Sequence, residues 1–159
     1  MSEGLQWQWL RFDQLSREQL YALLRLRSEV FVVEQNCIFQ DMDGLDAQAM
    51  HLLGVRVAVG SAQVPELVAY VRCFPKGVTF DEASIGRVVT RQSARGGGLG
   101  HVLMAEAIRA LQQQWGAQPI RIGAQAHLQA FYERHGFADM GKPYVEDGIT
   151  HIEMVRQPG

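Results

Sequence analysis

Leu5, Trp7 and Trp9 alternate with polar neighbours, the two-residue period of a half-buried strand. Ser16 and Gln19 then stand at capping-box spacing, with Leu15 and Leu20 placed to staple across the helix start. Leu20, Leu23, Leu24, Leu26, Val30 and Phe31 follow at helical spacing and predict a helix with a broad apolar face. Residues 36–49 keep neither period and read as a loop. Residues 51–59 and 67–74 predict two strands joined around Gly60-Ser61, and 75–81 a turn. A strand is expected over 83–90. A helix is expected from Leu99 to about Gln114, with Val102, Leu103, Ala107, Ile108 and Leu111 on one side and Gly116 as its stop. Pro119 introduces a short strand over 120–124. A helix follows from about His127 toward Gly136-Phe137, and two last strands, 140–146 and 150–155, meet at an Asp147-Gly148 hairpin turn. This order predicts an α/β fold whose central sheet is mixed rather than doubly wound.

The chain of 159 residues suits one domain, residues 1–159. Lys and Arg number 15 against 17 Asp and Glu, a net charge of -2, which disfavours nucleic-acid and membrane-surface binding. The two cysteines, Cys37 and Cys73, lie far apart without metal-ligand spacing, so no metal is expected and reduced thiols are. The start of the chain lacks the pattern of a signal peptide, and no apolar run nears the ~18 residues that span a bilayer. A cytoplasmic location is the expectation.

The sharpest chemical signal is Arg95-Gly96-Gly97-Gly98-Leu99-Gly100-His101, set between a predicted strand and a predicted helix. A helix N-terminus presents unpaired N–H groups and roughly half a positive charge, and glycines let backbone approach an anion. A phosphate or diphosphate is the ligand such a turn suits; a plain surface turn is the bland alternative. The Lys of a P-loop is missing, and the spacing of the dinucleotide fingerprint fails, since His101 and Leu103 stand where its last glycine belongs.

Arg95, Gly98 and Gly100 leave the pattern Arg-x-x-Gly-x-Gly, which resembles the coenzyme A diphosphate loop of the GNAT acyltransferases. The later run Phe131-Tyr132-Glu133-Arg134-His135-Gly136-Phe137 is similar to that superfamily's second signature; Gln125 stands where its members often carry Asn. Phe31 to Cys37, Gly123 to Leu128 and Glu146 to Ile152 look like the ElaA-type bacterial branch. The resemblance implies a GNAT fold in which two parallel strands, 83–90 and 120–124, splay apart around the acyl chain and pantetheine. It implies acetyl-CoA as co-substrate and direct attack on its thioester by an amine. A small-molecule or peptide amine is the expected partner, and GNAT domains often form homodimers. A catalytically silent CoA-binding module of the same fold is the competing reading.

In that scheme Arg95, Gly96, Gly97, Gly98, Leu99, Gly100 and His101 cradle the diphosphate, Val88 and Val89 offer backbone groups, and Gln125 and Phe131 complete the donor site. Tyr132 is the expected acid for the departing thiolate. Glu34, at the end of the first helix, is a candidate base. Gln35, His51, His127 and His151 are acceptor-site candidates, the histidines also being candidate bases. Asp41, Asp43 and Asp46 lack EF-hand spacing and predict an Asx-type turn, or a lure for a cationic acceptor.

Overall fold

A computed structural model describes residues 4–57 and 65–158. The expected Gly60-Ser61 turn lies outside the described residues. Among those described, no helix is long and apolar enough to cross a membrane.

Seven strands form one sheet in the order β1-β2-β3-β4-β5-β7-β6. They are β1 Leu5–Arg11, β2 Met50–Arg56, β3 Glu66–Phe74, β4 Ala83–Thr90, β5 Ile120–Gln125, β6 Phe137–Glu146 and β7 Ile149–Arg156. The helices are α1 Arg17–Arg27, α2 Leu99–Trp115 and α3 Gln129–Glu133. Leu23, Leu26 and Val30 pack with Leu53, Tyr70 and Val89 in one apolar cluster. Leu103, Met104, Ala107 and Leu111 of α2 pack with Leu52, Val68, Val71 and Ile85 in another. Neighbouring residues of β2 and β3 alternate between the clusters, so the sheet is covered on both faces. That is why β3 reads as an almost unbroken apolar run.

The Ser16 capping box forms, with Gln19 N–H donating to Ser16 Oγ at 3.0 Å. The first helix does not continue evenly to Glu34, however. Ser28–Glu34 is a π-helical segment, and Gln35 N–H bonds to Val30 O and Cys37 N–H to Val32 O, five residues back. Such widened turns recur at functional sites. The helix bearing Tyr132 is shorter than expected, and a single 3-10 turn, Ala126–Leu128, precedes it. Asp147 and Gly148 both take positive φ (52° and 77°), as a two-residue hairpin of the primed type requires.

β4 and β5 are the parallel pair, and they stay paired only at Ala83–Ile120 and Ser84–Arg121. Beyond that point they part. The β4 side of the gap is shaped by a bulge: Arg72 pairs with Gly86 and Tyr70 with Val89, so Arg87 and Val88 together face Val71. Arg87 carries the strain, at φ 50°.

Aspartates from the 36–49 loop hold that wall. Arg27 Nε meets Asp41 at 2.8 Å and its Nη1 meets Asp46 at 2.8 Å. Arg72 grips Asp43 and Asp46 at 2.8 and 3.0 Å, and Arg87 Nε lies 2.8 Å from Asp41. Leu45 N–H donates to Asp43 Oδ1 at 3.0 Å, the expected Asx turn. These carboxylates are thus spent on arginines rather than open to a cationic acceptor. Burial raises the Asp43 and Asp46 carboxyls, but bonds from Arg72 and Arg27 outweigh it and hold both below their ordinary range. Depressed carboxyl pKa values stabilise the fold above about pH 4 and cease to do so as pH falls through the folded-state values. Urea titrations are expected to show stability falling steadily below about pH 4, with Asp43→Asn reducing that acid dependence.

Candidate active site

The cleft left by the splayed strands is lined on the β4 side by Ile85, Gly86, Arg87 and Val88, and on the β5 side by Ile122, Gly123 and Gln125. Phe31 of the π-helical segment and Gln35 just after it also line the cleft, as do Glu146, Asp147 and His151 of the final hairpin. Cys37 Sγ donates to Asp147 O at 3.6 Å, tying these two parts of the wall together. From Ile85 onward β4 has no partner on its β5 side, so its edge is open to an added strand-like ligand. Val88 faces the cleft; the Val89 side chain is turned under α1.

At the end of β4 the chain makes a 3-10 turn, Gln92–Ala94, and enters the glycines. Gly96, Gly97 and Gly98 have φ of 91°, 81° and 80°, a left-handed run that L-residues avoid. A Cβ on any of the three would meet nothing within 4 Å, so glycine serves conformation here and leaves the outside of the turn open. Gly98 caps α2 with its backbone: His101 and Val102 N–H both bond to Gly98 O at 3.1 Å. Gly100 lies against the Phe131 ring, where a Cβ would make an ordinary contact at 3.4 Å. Phe131 also stacks on His101, at 4.6 Å between centroids.

Tyr132 lines the cleft and is only 7 % exposed. Burial pushes its hydroxyl up to about 12, so it stays a proton donor at neutral pH. Gln125 Nε2 donates to Gln35 Oε1 at 3.4 Å, joining the walls.

Glu34 is a correction. Its carboxylate takes Arg95 Nη1 at 2.5 Å and Nη2 at 3.1 Å, and it is absent from the cleft lining. Arg95 also donates to Thr90 O, so its guanidinium folds back to pin the glycine loop instead of standing open toward an anion. His51 is a second correction. It is fully buried; its Nε2–H donates to Asp46 O at 2.9 Å and its Nδ1 accepts from Tyr70 at 2.5 Å, leaving neither nitrogen for an acceptor. His127 is exposed beside the cleft, whose wall takes Leu128 instead.

His151 does reach the cleft. The sheet register sets it opposite Gln125 on β5 and Tyr144 on β6, and the Tyr144 ring stacks on it at 5.3 Å. Its Nδ1 lies 2.8 Å from Ile149 O. A carbonyl only accepts, so Nδ1 carries a proton, and in the neutral ring the lone pair is on Nε2. Sequence reasoning missed Arg87 and Cys37 as lining residues, and no local pattern marks either. Among the described residues, no three His, Cys, Asp or Glu side chains gather to hold a metal ion.

A parallel pair parting above a glycine turn that opens a helix defines an acyltransferase fold of the GNAT type. The acetyltransferase (GNAT) domain matches residues 57–157, and the chain belongs to that family. It is 43% identical to Protein ElaA of Escherichia coli over 155 residues, covering 96% of this chain and 97% of that protein. A crystal structure of an acyl-CoA N-acyltransferase from Pseudomonas aeruginosa superposes with a TM-score of 0.85 at 43% identity, over 96% of this chain and 99% of that one. An aminoglycoside 6'-N-acetyltransferase complexed with coenzyme A shares the fold, at a TM-score of 0.64 and 15% identity over 94% and 96% of the two chains.

Proposed function

We propose that the protein transfers an acyl group, acetyl by default, from acyl-CoA to a primary amine by direct attack. The observation that carries this reading is that one cleft, between the parted strands β4 and β5, is lined by both a buried tyrosine donor and a histidine whose Nδ1 is held by a carbonyl. The glycine turn fits a diphosphate: its outside is unobstructed and it ends at the start of a 17-residue helix. The open edge of β4 suits the amides of pantetheine. Its backbone N–H groups near Val88 suit a developing oxyanion. The bound thioester supplies the activated acyl group.

In this reading His151 Nε2 takes the proton of the acceptor's ammonium, either directly or through water. Tyr132 gives a hydrogen bond and then its proton to the departing thiolate. Glu34, tied to Arg95, acts on the loop's position rather than as the base. The test is release of CoA from acetyl-CoA in the presence of a panel of amines, from polyamines to peptides with free N-termini. Turnover supports the enzyme; tight CoA binding with no turnover across the panel supports the silent binding module.

Tyr132→Phe is expected to lower kcat by about 10²-fold, the low end for a general acid, because a thiol of pKa ~8.5 already leaves readily. Steady-state kinetics check this, and unchanged kcat removes Tyr132 from the chemistry.

A further inference from the structure

Beside the cradle lies an imidazole pair whose bonds allow one assignment of protons. His101, in the first turn of α2, has Nε2 3.2 Å from Arg134 Nη1 and Nδ1 2.9 Å from His135 Nε2. A guanidinium only donates, so His101 Nε2 accepts from it. The His101 proton therefore sits on Nδ1 and is donated to His135 Nε2. Adding a proton to His101 breaks the Arg134 bond; adding one to His135 Nε2 sets two N–H groups against each other. Both rings are neutral in this arrangement.

Their surroundings are cationic. Arg134 follows α3, and the positive end of α2 lies under His101. From β7, Arg156 Nε donates to His135 O at 3.0 Å, while its buried Nη1 has no partner. The carboxylates on the neighbouring helices are engaged elsewhere, Glu106 by Arg109 and Glu133 by Gln129. Burial first, then the charges of His101, Arg134 and Arg156, push the His135 pKa down. The cluster is short of an anion, and it holds lone pairs that an anion would help to protonate.

We infer that the His101–His135–Arg134 chain is a proton-linked receptor for a phosphate of the donor, so that CoA binds with uptake of a proton. The inference rests on the acyl-CoA reading above. A phosphate at the start of α2 competes for Arg134. His101 Nε2, freed of that bond and protonated, turns from acceptor into a second donor. An anion beside an imidazole raises its pKa, so affinity for CoA rises as pH falls between the free and bound values. A phosphate monoester that binds as the dianion has the opposite sign, losing its last proton near pH ~6.

Calorimetric titration of CoA at neutral pH, in buffers of differing ionisation enthalpy, counts the protons. Uptake of up to about one proton per CoA is expected for the unaltered protein. In His101→Asn, which keeps an amide donor but cannot titrate, CoA still binds, several-fold more weakly, with the uptake abolished. Dephospho-CoA locates the anion: uptake retained assigns the diphosphate, and uptake lost assigns the 3′-phosphate. Normal CoA binding without uptake, or equal uptake in His101→Asn, overturns the inference and leaves the acyltransferase reading standing. Failure of the folded, unaltered protein to bind CoA overturns both.

Discussion

His151→Gln is expected to lower kcat/KM for acetyl transfer at neutral pH by about 10²–10⁴-fold, the range for loss of a positioned base. An acceptor amine with pKa near ~10.4 is neutral in about one molecule in a few thousand at pH 7, so a nearby lone pair that collects its proton matters most there. The Nδ1–H bond to Ile149 O fixes that lone pair on Nε2, and glutamine has no equivalent. As pH rises toward the amine's own pKa, free amine becomes abundant and the deficit narrows. Initial rates from neutral pH to about pH 10 check both points. A deficit that is constant with pH assigns His151 to packing against Tyr144 instead.

Gly98→Glu is expected to abolish measurable acetyl-CoA binding, a weakening of at least about 100-fold. Three effects act together. Position 98 holds φ 80°, which costs an L-residue about 1–2 kcal/mol and favours a rearranged turn. The added side chain would lie on the open face of the turn, where the proposed diphosphate would sit. Its charge opposes the ligand's at the positive end of α2. Folding survives because a Cβ there meets nothing within 4 Å. Gly98→Ala separates the effects, since it keeps the backbone cost and drops the charge and most of the bulk. Calorimetry on all three proteins, with melting curves to confirm the fold, decides the case. Full affinity in Gly98→Glu returns the glycine run to a plain surface turn.

Most of the scaffold was legible locally. The alternation of Leu5, Trp7 and Trp9, the Ser16 box, the apolar stripe of α2 and the Asp147-Gly148 turn all became the elements they predict. Each rests on forces acting between near neighbours: side-chain period, orphan N–H groups at a helix start, and the freedom of glycine. The cradle belongs with them, because positive φ at three successive glycines ahead of a helix is a property of the run itself. The π-helical segment was not legible, since the apolar stripe of α1 runs on into Val30 and Phe31 with no break.

The candidate chemistry divides along the same line. Sequence alone determined the mixed α/β order of elements and the glycine turn ahead of α2, through patterns carried within single elements, while the resemblance to the GNAT superfamily pointed to the parted strands and to Tyr132, which lines the cleft. Only the tertiary structure decided which titratable groups enter the cleft. Glu34 and Arg95 pair across 61 residues of chain, and His51 finds Tyr70 across a strand pair. His151 gains its place from a register that aligns β7 with both β5 and β6. Arg27, Arg72 and Arg87, from three different elements, converge on three aspartates between Asp41 and Asp46. A charged side chain's role depends on whether a partner neutralises it, and long-range packing supplies that partner, so spacing along the chain does not encode it.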